Sequence, residues 1–334
     1  MLFSVIGLLV LELLLTTTAV AFTHRNSLIR LALLPVMVAA TYKVMIICVS
    51  GQIESPIGRA ILGSGSVYRI IHYVAIVVID RWSFEPKGPT SSLGGLTPAS
   101  EIIGQKRAWS WGELAQRFQF GVRRFWYANA DIFAERNVPV FSRLREVTLT
   151  ELVARPVGVI AYWTMQYLSL SLMYGFLSFL AVAARLSDAE EWPPVFGRFE
   201  QTWSIAQFWG CFYHQNIRRG CSSIAHLTTY GCLRLEKGSL LGRYTFITTV
   251  FAISGTFHLL SDLARGIPRE ESKAMQFFLM QPVGMMFERG VQFLYRKSGV
   301  SIPMVFARVV GHCWVLFWIT WTSPMWIYTS MRPQ

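Results

Sequence analysis

The sequence predicts an all-α, polytopic membrane protein, and three observations carry that prediction. Hydrophobic residues make up 53% of the 334 residues and charged residues only 15%, where a soluble domain carries roughly 25% charged residues. The mean hydropathy is +0.39, and the apolar residues gather into runs, several of which reach the roughly 18–25 residues that cross a hydrocarbon core. Lys and Arg sit between these runs. A soluble pair of domains, which the length alone would allow, is excluded because such a composition cannot solvate a globule of this size.

Taken in order, the first run is Leu2 to Phe22. It lacks a basic leader, exceeds the usual apolar core of a secretory signal and carries Glu12 near its middle, so it reads as a retained span. Leu28 to Ser50 is the second span, and a shorter third lies near Val67 to Ile79. Between Asp80 and Pro156 the composition changes, and Pro86, Pro89 and the Ser/Gly-rich stretch Thr90 to Thr97 mark a loop. In Trp109 to Asn129, residues Trp111, Leu114, Ala115, Phe118, Val122, Phe125 and Trp126 recur at helical spacing, with Arg117, Arg123 and Arg124 among them. That pattern fits a helix lying in the bilayer interface or one packed on the membrane domain from the cytosol. Val157 to Ala184, Tyr244 to Leu260, Ala274 to Met286 and Met304 to Tyr328 complete the set. About seven or eight transmembrane helices are expected, in a single membrane domain over 1–334: N-terminal spans in 1–79, a cytosolic or interfacial loop in 80–156, and a second group of spans in 157–334.

The net charge of +12 and pI near 9.8 do not indicate nucleic acid, because the basic residues form no aromatic-interleaved patch. Positive-inside topology accounts for them. Arg25 and Arg30 follow the first span, and Lys87, Lys106, Arg107, Arg123, Arg124, Arg143 and Arg145 follow the third, so both loops are expected in the cytoplasm. Asp188, Glu190 and Glu191 then fall on the lumenal side. Alternation fails next: Arg218, Arg219, Arg234, Lys237 and Arg243 are basic, yet no full apolar span separates Glu191 from Arg198. Either a re-entrant or interfacial region near residues 196–220 resolves the conflict, since irregular backbone at membrane depth is tolerated where it lines a protein cavity, or the span assigned to Val157 to Ala184 is wrong. The five scattered cysteines imply no disulfide framework.

Two histidines stand in surroundings that suggest chemistry. His258 lies near the end of an apolar run, where an ionisable group is costly unless paired or functional. Asp262 follows at i+4, within reach of the imidazole on a helix, and would fix its tautomer. A neutral imidazole so held has its other nitrogen available to take a proton from an alcohol. Ser254 and Gly255, one turn earlier, leave room for a ligand or a close helix. The alternative is a histidine that simply hydrogen-bonds between helices. His214 follows Phe208, Trp209 and Tyr213, which could wall an apolar substrate, and precedes Arg218 and Arg219, whose guanidinium forks suit phosphates. An interfacial aromatic belt with snorkelling Arg is the competing account.

The block Trp192-Pro-Pro-Val-Phe-Gly197, then Phe208-Trp-Gly210, Tyr213-His-Gln215 with Arg218, and finally Ser254-Gly-Thr-Phe-His258, resembles the fungal branch of the wax synthase-like acyltransferases, relatives of the membrane-bound O-acyltransferases. The Asp80-Arg81-Trp82 run is a fainter echo of the same family. Tyr213 departs from the commoner Trp, which keeps an aromatic wall but bears on substrate shape. The resemblance implies a catalytic group in 157–334, with His258 as the catalytic residue, oriented by Asp262, and His214 as its assistant. Arg218, Arg219 and Asn216 would hold the acyl-CoA, and Phe208, Trp209, Tyr213, Ser254 and Gly255 the acceptor. It implies no resident cofactor or metal, with acetyl-CoA or another acyl-CoA as co-substrate. A lipophilic terpenoid or meroterpenoid alcohol would be the acceptor, in the endoplasmic reticulum or a related endomembrane, as a step of secondary metabolism. Long-chain wax-ester synthesis and a non-catalytic lipid- or sterol-binding protein or transporter are the alternatives.

Other signals weigh less. The spacing of Cys221, His226 and Cys232 fits no closed zinc pattern. Glu12 and Lys43 are expected to pair or to snorkel, His72 and His312 to make helix-packing hydrogen bonds, and Gly63-Ser-Gly65 is too short for a phosphate loop.

Overall fold

The computed structural model describes residues 2–83, 108–138, 143 and 145–331. The predicted loop Thr90 to Thr97 lies outside these residues. Twelve helices follow in order among the described residues: α1 (Leu2–Phe22), α2 (Ile29–Ala32), α3 (Leu34–Val49), α4 (Pro56–Tyr73), α5 (Ala108–Ala128), α6 (Leu149–Ala183), α7 (Ile205–Gln207), α8 (Arg218–His226), α9 (Leu240–Arg265), α10 (Ala274–Lys297), α11 (Met304–Thr322) and α12 (Pro324–Ser330). Wider π-helical turns extend α4 through Val74–Ile79, α7 through Phe208–Phe212 and α8 through Leu227–Cys232. No strand occurs among the described residues. Helices are the natural outcome, because backbone polar groups in hydrocarbon must be satisfied within their own segment.

Six segments are long and apolar enough to cross a membrane: Ser4–Phe22, Ile29–Val49, Pro56–Ile79, Leu149–Ala183, Leu240–Arg265 and Met304–Thr322. The first expected span matches α1. Three others begin upstream of their apolar runs, because each helix reaches back to a polar cap. Ser55 accepts the Gly58 amide, Thr148 that of Glu151, and Ser239 that of Gly242. The run expected over Ala274 to Met286 opens α10, which then continues through Glu288, Arg289, Arg296 and Lys297. Between Ala184 and Ser239 no spanning helix forms, in keeping with the irregular region expected near 196–220.

The chain divides into two compact units, with residues 1–95 and 217–283 in one and 96–216 and 284–334 in the other. α10 contributes to both, changing unit just after Pro282.

In the first unit, α9 lies against α4 so closely that a Cβ on Gly63 would sit 2.5 Å from that of Ala264. Nearby, Ser64 donates to Ser261 at 2.9 Å. Ala264 also joins Val5, Val44, Ile47 and Cys48 in one apolar cluster. The fully buried Glu12 accepts from Thr41 at 2.8 Å and Ser66 at 2.5 Å, with Arg69 at 3.6 Å. Lys43 is not its partner: it is exposed, two residues past Thr41 and so on another face of α3. Buried Arg30 donates to the carbonyls of Ala19 and Thr23 near the end of α1 and to Val77.

In the second unit, α5 packs Val122 and Trp126 against Val159 and Tyr162 of α6, together with Phe133 and Tyr328. Trp126 stacks on Phe133 at 4.0 Å. The amphipathic segment is therefore a helix with one face on α6, while Phe120 and Tyr127 remain exposed. Glu151 takes Arg143 at 2.6 Å and Arg155 at 3.0 Å, which ties the preceding loop to the first turns of α6. His312 does not bond between helices, since its Nδ1 meets the Arg308 carbonyl one turn earlier on α11.

The α4–α9 contact tolerates no added atoms. Gly63→Val is expected to lower stability by about 1–3 kcal/mol, read as a lower Tm of the detergent-solubilised protein. An unaltered melt would show that the two helices do not meet there.

Candidate active site

Within the first unit, α9 carries Ser254, Gly255, His258 and Asp262 along its length. The space that small residues leave at Gly255 is taken by a close helix: a Cβ there would lie 3.0 Å from Met275 Sδ and 3.3 Å from Phe278 Cβ, both on α10. That approach places the His258 imidazole flat on Phe278, with centroids 4.5 Å apart and planes 9° from parallel. Phe257 meets the same ring edge-on at 5.0 Å. Asp262 is 2% exposed. Its Oδ2 accepts the Ser272 hydroxyl at 2.7 Å, and its Oδ1 lies 3.7 Å from Arg265. A carboxylate so buried must be compensated, and the loop leading into α10 supplies the hydroxyl.

Arg218 and Arg219 open α8 in the same unit. The Arg219 Nε donates to Asp80 at 3.3 Å, and its guanidinium lies 4.4 Å above Trp82.

Within the second unit, the motif around His214 is built by two stretches of chain. Ser204 caps α7 by accepting the Gln207 amide, and Glu288 accepts the Ile205 amide at 2.9 Å. The helix then widens into its π turn, closed where the Tyr213 amide reaches the Phe208 carbonyl at 2.8 Å. Beyond it the chain is extended at Tyr213 and pairs with the Trp192–Gly197 block. Gly197 donates to Phe212 at 2.9 Å, and Gln215 to Val195 at 3.1 Å.

This pairing gives His214 its surroundings. Phe196 meets the imidazole edge-on at 6.2 Å and Tyr213 lies 4.8 Å away. Tyr213 in turn packs on Trp163 at 4.8 Å and Phe208 at 5.7 Å, and Trp163 touches Trp209. His214 Nδ1 is buried with no hydrogen-bond partner among the described residues. Burial lowers this imidazole to a pKa of about 4 and pushes the Tyr213 phenol well up. Trp163 and Tyr167 of α6, the latter 4.4 Å from Phe196, were not legible as site residues, since they fall in an ordinary apolar run. Phe196 stands in the Trp192–Gly197 block, where residue type alone points to no role.

His214 and Asn216 thus belong to one unit, and Arg218, Arg219, His258 and Asp262 to the other. A stretch of the chain, residues 192–280, matches the membrane bound O-acyl transferase family. The acetyltransferase fsoF of Humicola fuscoatra is 36% identical, with 98% of this chain and 97% of that protein aligned. The chain belongs to this family. The acetyltransferase aurG of Calcarisporium arbuscula is 30% identical across 94% of this chain and 89% of its own. The acetyltransferase ataH of Aspergillus terreus is 36% identical across 48% of this chain and 54% of its own. No solved structure matches.

As a membrane bound O-acyl transferase, the protein is an integral membrane enzyme that moves an acyl group from a donor to an alcohol oxygen. The matched segment contains both histidine motifs and leaves Asp80, α5 and α6 outside it.

The buried His214 makes stability pH-dependent. The unfolded imidazole titrates near 6.5 and the folded one near 4, so the unfolded chain takes the proton first. Its contribution is full above about pH 6.5 and declines as pH falls toward 4. The wild-type Tm should therefore drop more between pH 7 and pH 5 than that of His214→Gln. Equal drops would mean that His214 is solvated.

Proposed function

We propose that the protein is an O-acetyltransferase that moves acetyl from acetyl-CoA to a hydroxyl of a lipophilic terpenoid or meroterpenoid, as a step of secondary metabolism. The observation that carries this reading is His258: an ionisable ring on an apolar helix, held flat on Phe278, in a chain whose relatives are named acetyltransferases.

In the proposed reaction His258 accepts the alcohol proton as the oxygen attacks the thioester carbonyl. His214 and Asn216 are proposed, from their place in the sequence motif, as hydrogen-bond donors to the tetrahedral oxyanion. As the carbonyl re-forms, the carbon–sulfur bond breaks and CoA leaves as a thiolate, which takes up the proton that His258 holds. No covalent acyl-enzyme is needed. His214 serves as a neutral group, because its burial keeps it uncharged at cellular pH. Arg218 and Arg219 would meet the CoA phosphates.

Asp262 orients His258 from the next turn, and Ser272 and Arg265 hold that carboxylate in place. The aromatic wall of Phe208, Trp209 and Tyr213, extended by Trp163 and Phe196, suits a rigid polycyclic acceptor and limits water near the thioester. Ser254 and Gly255 serve this reading by letting α10 approach. The reading places the protein in the endoplasmic reticulum or a related endomembrane, with residues 80–156 forming the cytosolic or interfacial part and 157–334 the catalytic part of one domain.

The test supplies microsomes with labelled acetyl-CoA or palmitoyl-CoA and an extract of candidate alcohols, and follows products by mass spectrometry. An acetylated polycyclic alcohol is the expected product, and a palmitoyl ester alone would replace acetyl transfer by wax-ester synthesis. His258→Ala should reduce CoA release to background while the protein remains in the membrane at wild-type level. Undiminished release would remove His258 from the mechanism.

A further inference from the structure

Asp80 stands 139 residues before Arg219 in the chain, yet the two side chains meet. It stands where the π turn Val74–Ile79 ends, its amide closing that turn onto the Ala75 carbonyl at 2.8 Å. The next residue, Arg81, adopts a left-handed conformation with φ 52, a strained position for a side chain other than Gly, Asn or Asp. That bend turns Trp82 back, so that its amide reaches the Ile76 carbonyl at 2.9 Å.

The result is a socket for one guanidinium. Arg219 donates its Nε to Asp80 Oδ2 at 3.3 Å, and Trp82 lies beneath its plane at 4.4 Å. The other carboxylate oxygen, Oδ1, takes the Ser223 hydroxyl one turn further along α8, at 3.1 Å. Gly220, between them, faces Ile71 of α4. Only 7% of the Asp80 side chain is exposed, whereas 41% of the Arg219 side chain is open.

A carboxylate at Nε and an aromatic face below the plane constrain a guanidinium from two directions. Among the described residues they leave uncovered its terminal fork, the edge that suits the paired oxygens of a phosphate. An unheld arginine would have to order its long side chain each time a ligand arrived.

We propose that Asp80 is a positioning residue for the acyl donor: with Trp82 it fixes Arg219 so that the guanidinium fork receives a phosphate of the CoA moiety. This rests on the acyl-CoA reading of the protein and adds to it a residue outside the segment that matches the family. Removing the Asp80 charge also removes a repulsion toward phosphate. That gain is small because water screens the half-open pair, so loss of order dominates.

The test needs no knowledge of the acceptor. The full chain, purified in nanodiscs of neutral lipid, is titrated with labelled acetyl-CoA, and CoA and pantetheine are used as competitors. Asp80→Asn should weaken CoA about tenfold, the scale of one charge-assisted contact, and leave pantetheine, which lacks every phosphate, unchanged. Asp80→Glu should recover part of the loss. Equal weakening of CoA and pantetheine would show a general packing defect and overturn the proposal, as would tighter CoA binding in Asp80→Asn. Unchanged CoA binding in neutral lipid, with a defect that emerges only in anionic bilayers, would assign the fork to a lipid headgroup and overturn it too. If Asp80→Asn does not yield a monodisperse particle, Arg219→Lys, which keeps the charge but loses the fork, must show the same selective loss. Failure of the wild-type protein to bind acetyl-CoA at all would instead count against the acyl-CoA reading itself.

Discussion

In hydrocarbon no hydrophobic force draws two helices together, so a helix that must be held firmly is held by close contact. α9 meets that constraint twice. Near its C-terminal end it lies on α4 where Gly63 faces Ala264, and at Gly255 it lies on the start of α10. The geometry of His258 follows from the second contact, because the same approach that leaves no room for a Cβ at Gly255 brings Phe278 under the imidazole. A small residue here does not create empty space for a ligand. It sets the distance at which an aromatic ring can support a reactive one.

Charges in apolar surroundings are expensive, and each buried one is compensated by groups from other parts of the chain. Glu12 draws on two hydroxyls and a guanidinium from α3 and α4. Arg30 is spent on carbonyls that the end of α1 and the following turn leave without helical partners. Glu151 gathers two arginines, and Asp262 a serine and an arginine. Such groups are weak evidence of stability, since desolvation opposes their attraction. Their effect is to fix which helix faces which.

Apolar runs made most of the helices legible and left their ends obscure. α1 is apolar apart from Glu12 and a few hydroxyls, and its limits were plain. The start of α4 was hidden because Gly58, Arg59, Gly63 and Ser64 dilute the run, although Ser55-Pro56 is a good cap. The first turns of α6 were hidden by Glu151, Arg155 and Pro156, whose charges are neutralised by contact with each other and with Arg143. In the site, the two histidine motifs were legible because each is local. The pairing of Trp192–Gly197 with Tyr213–Gln215, the Phe278 platform and the Asp80 socket were not, because each joins residues from different segments of the chain and no periodicity records such meetings.

The length of α6 exceeds what a span requires. Thirty-five residues at 1.5 Å each make a rod of about 52 Å, whereas the hydrocarbon layer is only about 30 Å deep. At the roughly 20° inclination usual for such helices, a good part of the rod stands clear of the lipid tails. The Glu151–Arg155 turn, where Arg143 also gathers, is the part that hydrocarbon accepts least, so the excess length of α6 serves as a charged foot to which the preceding loop is tied.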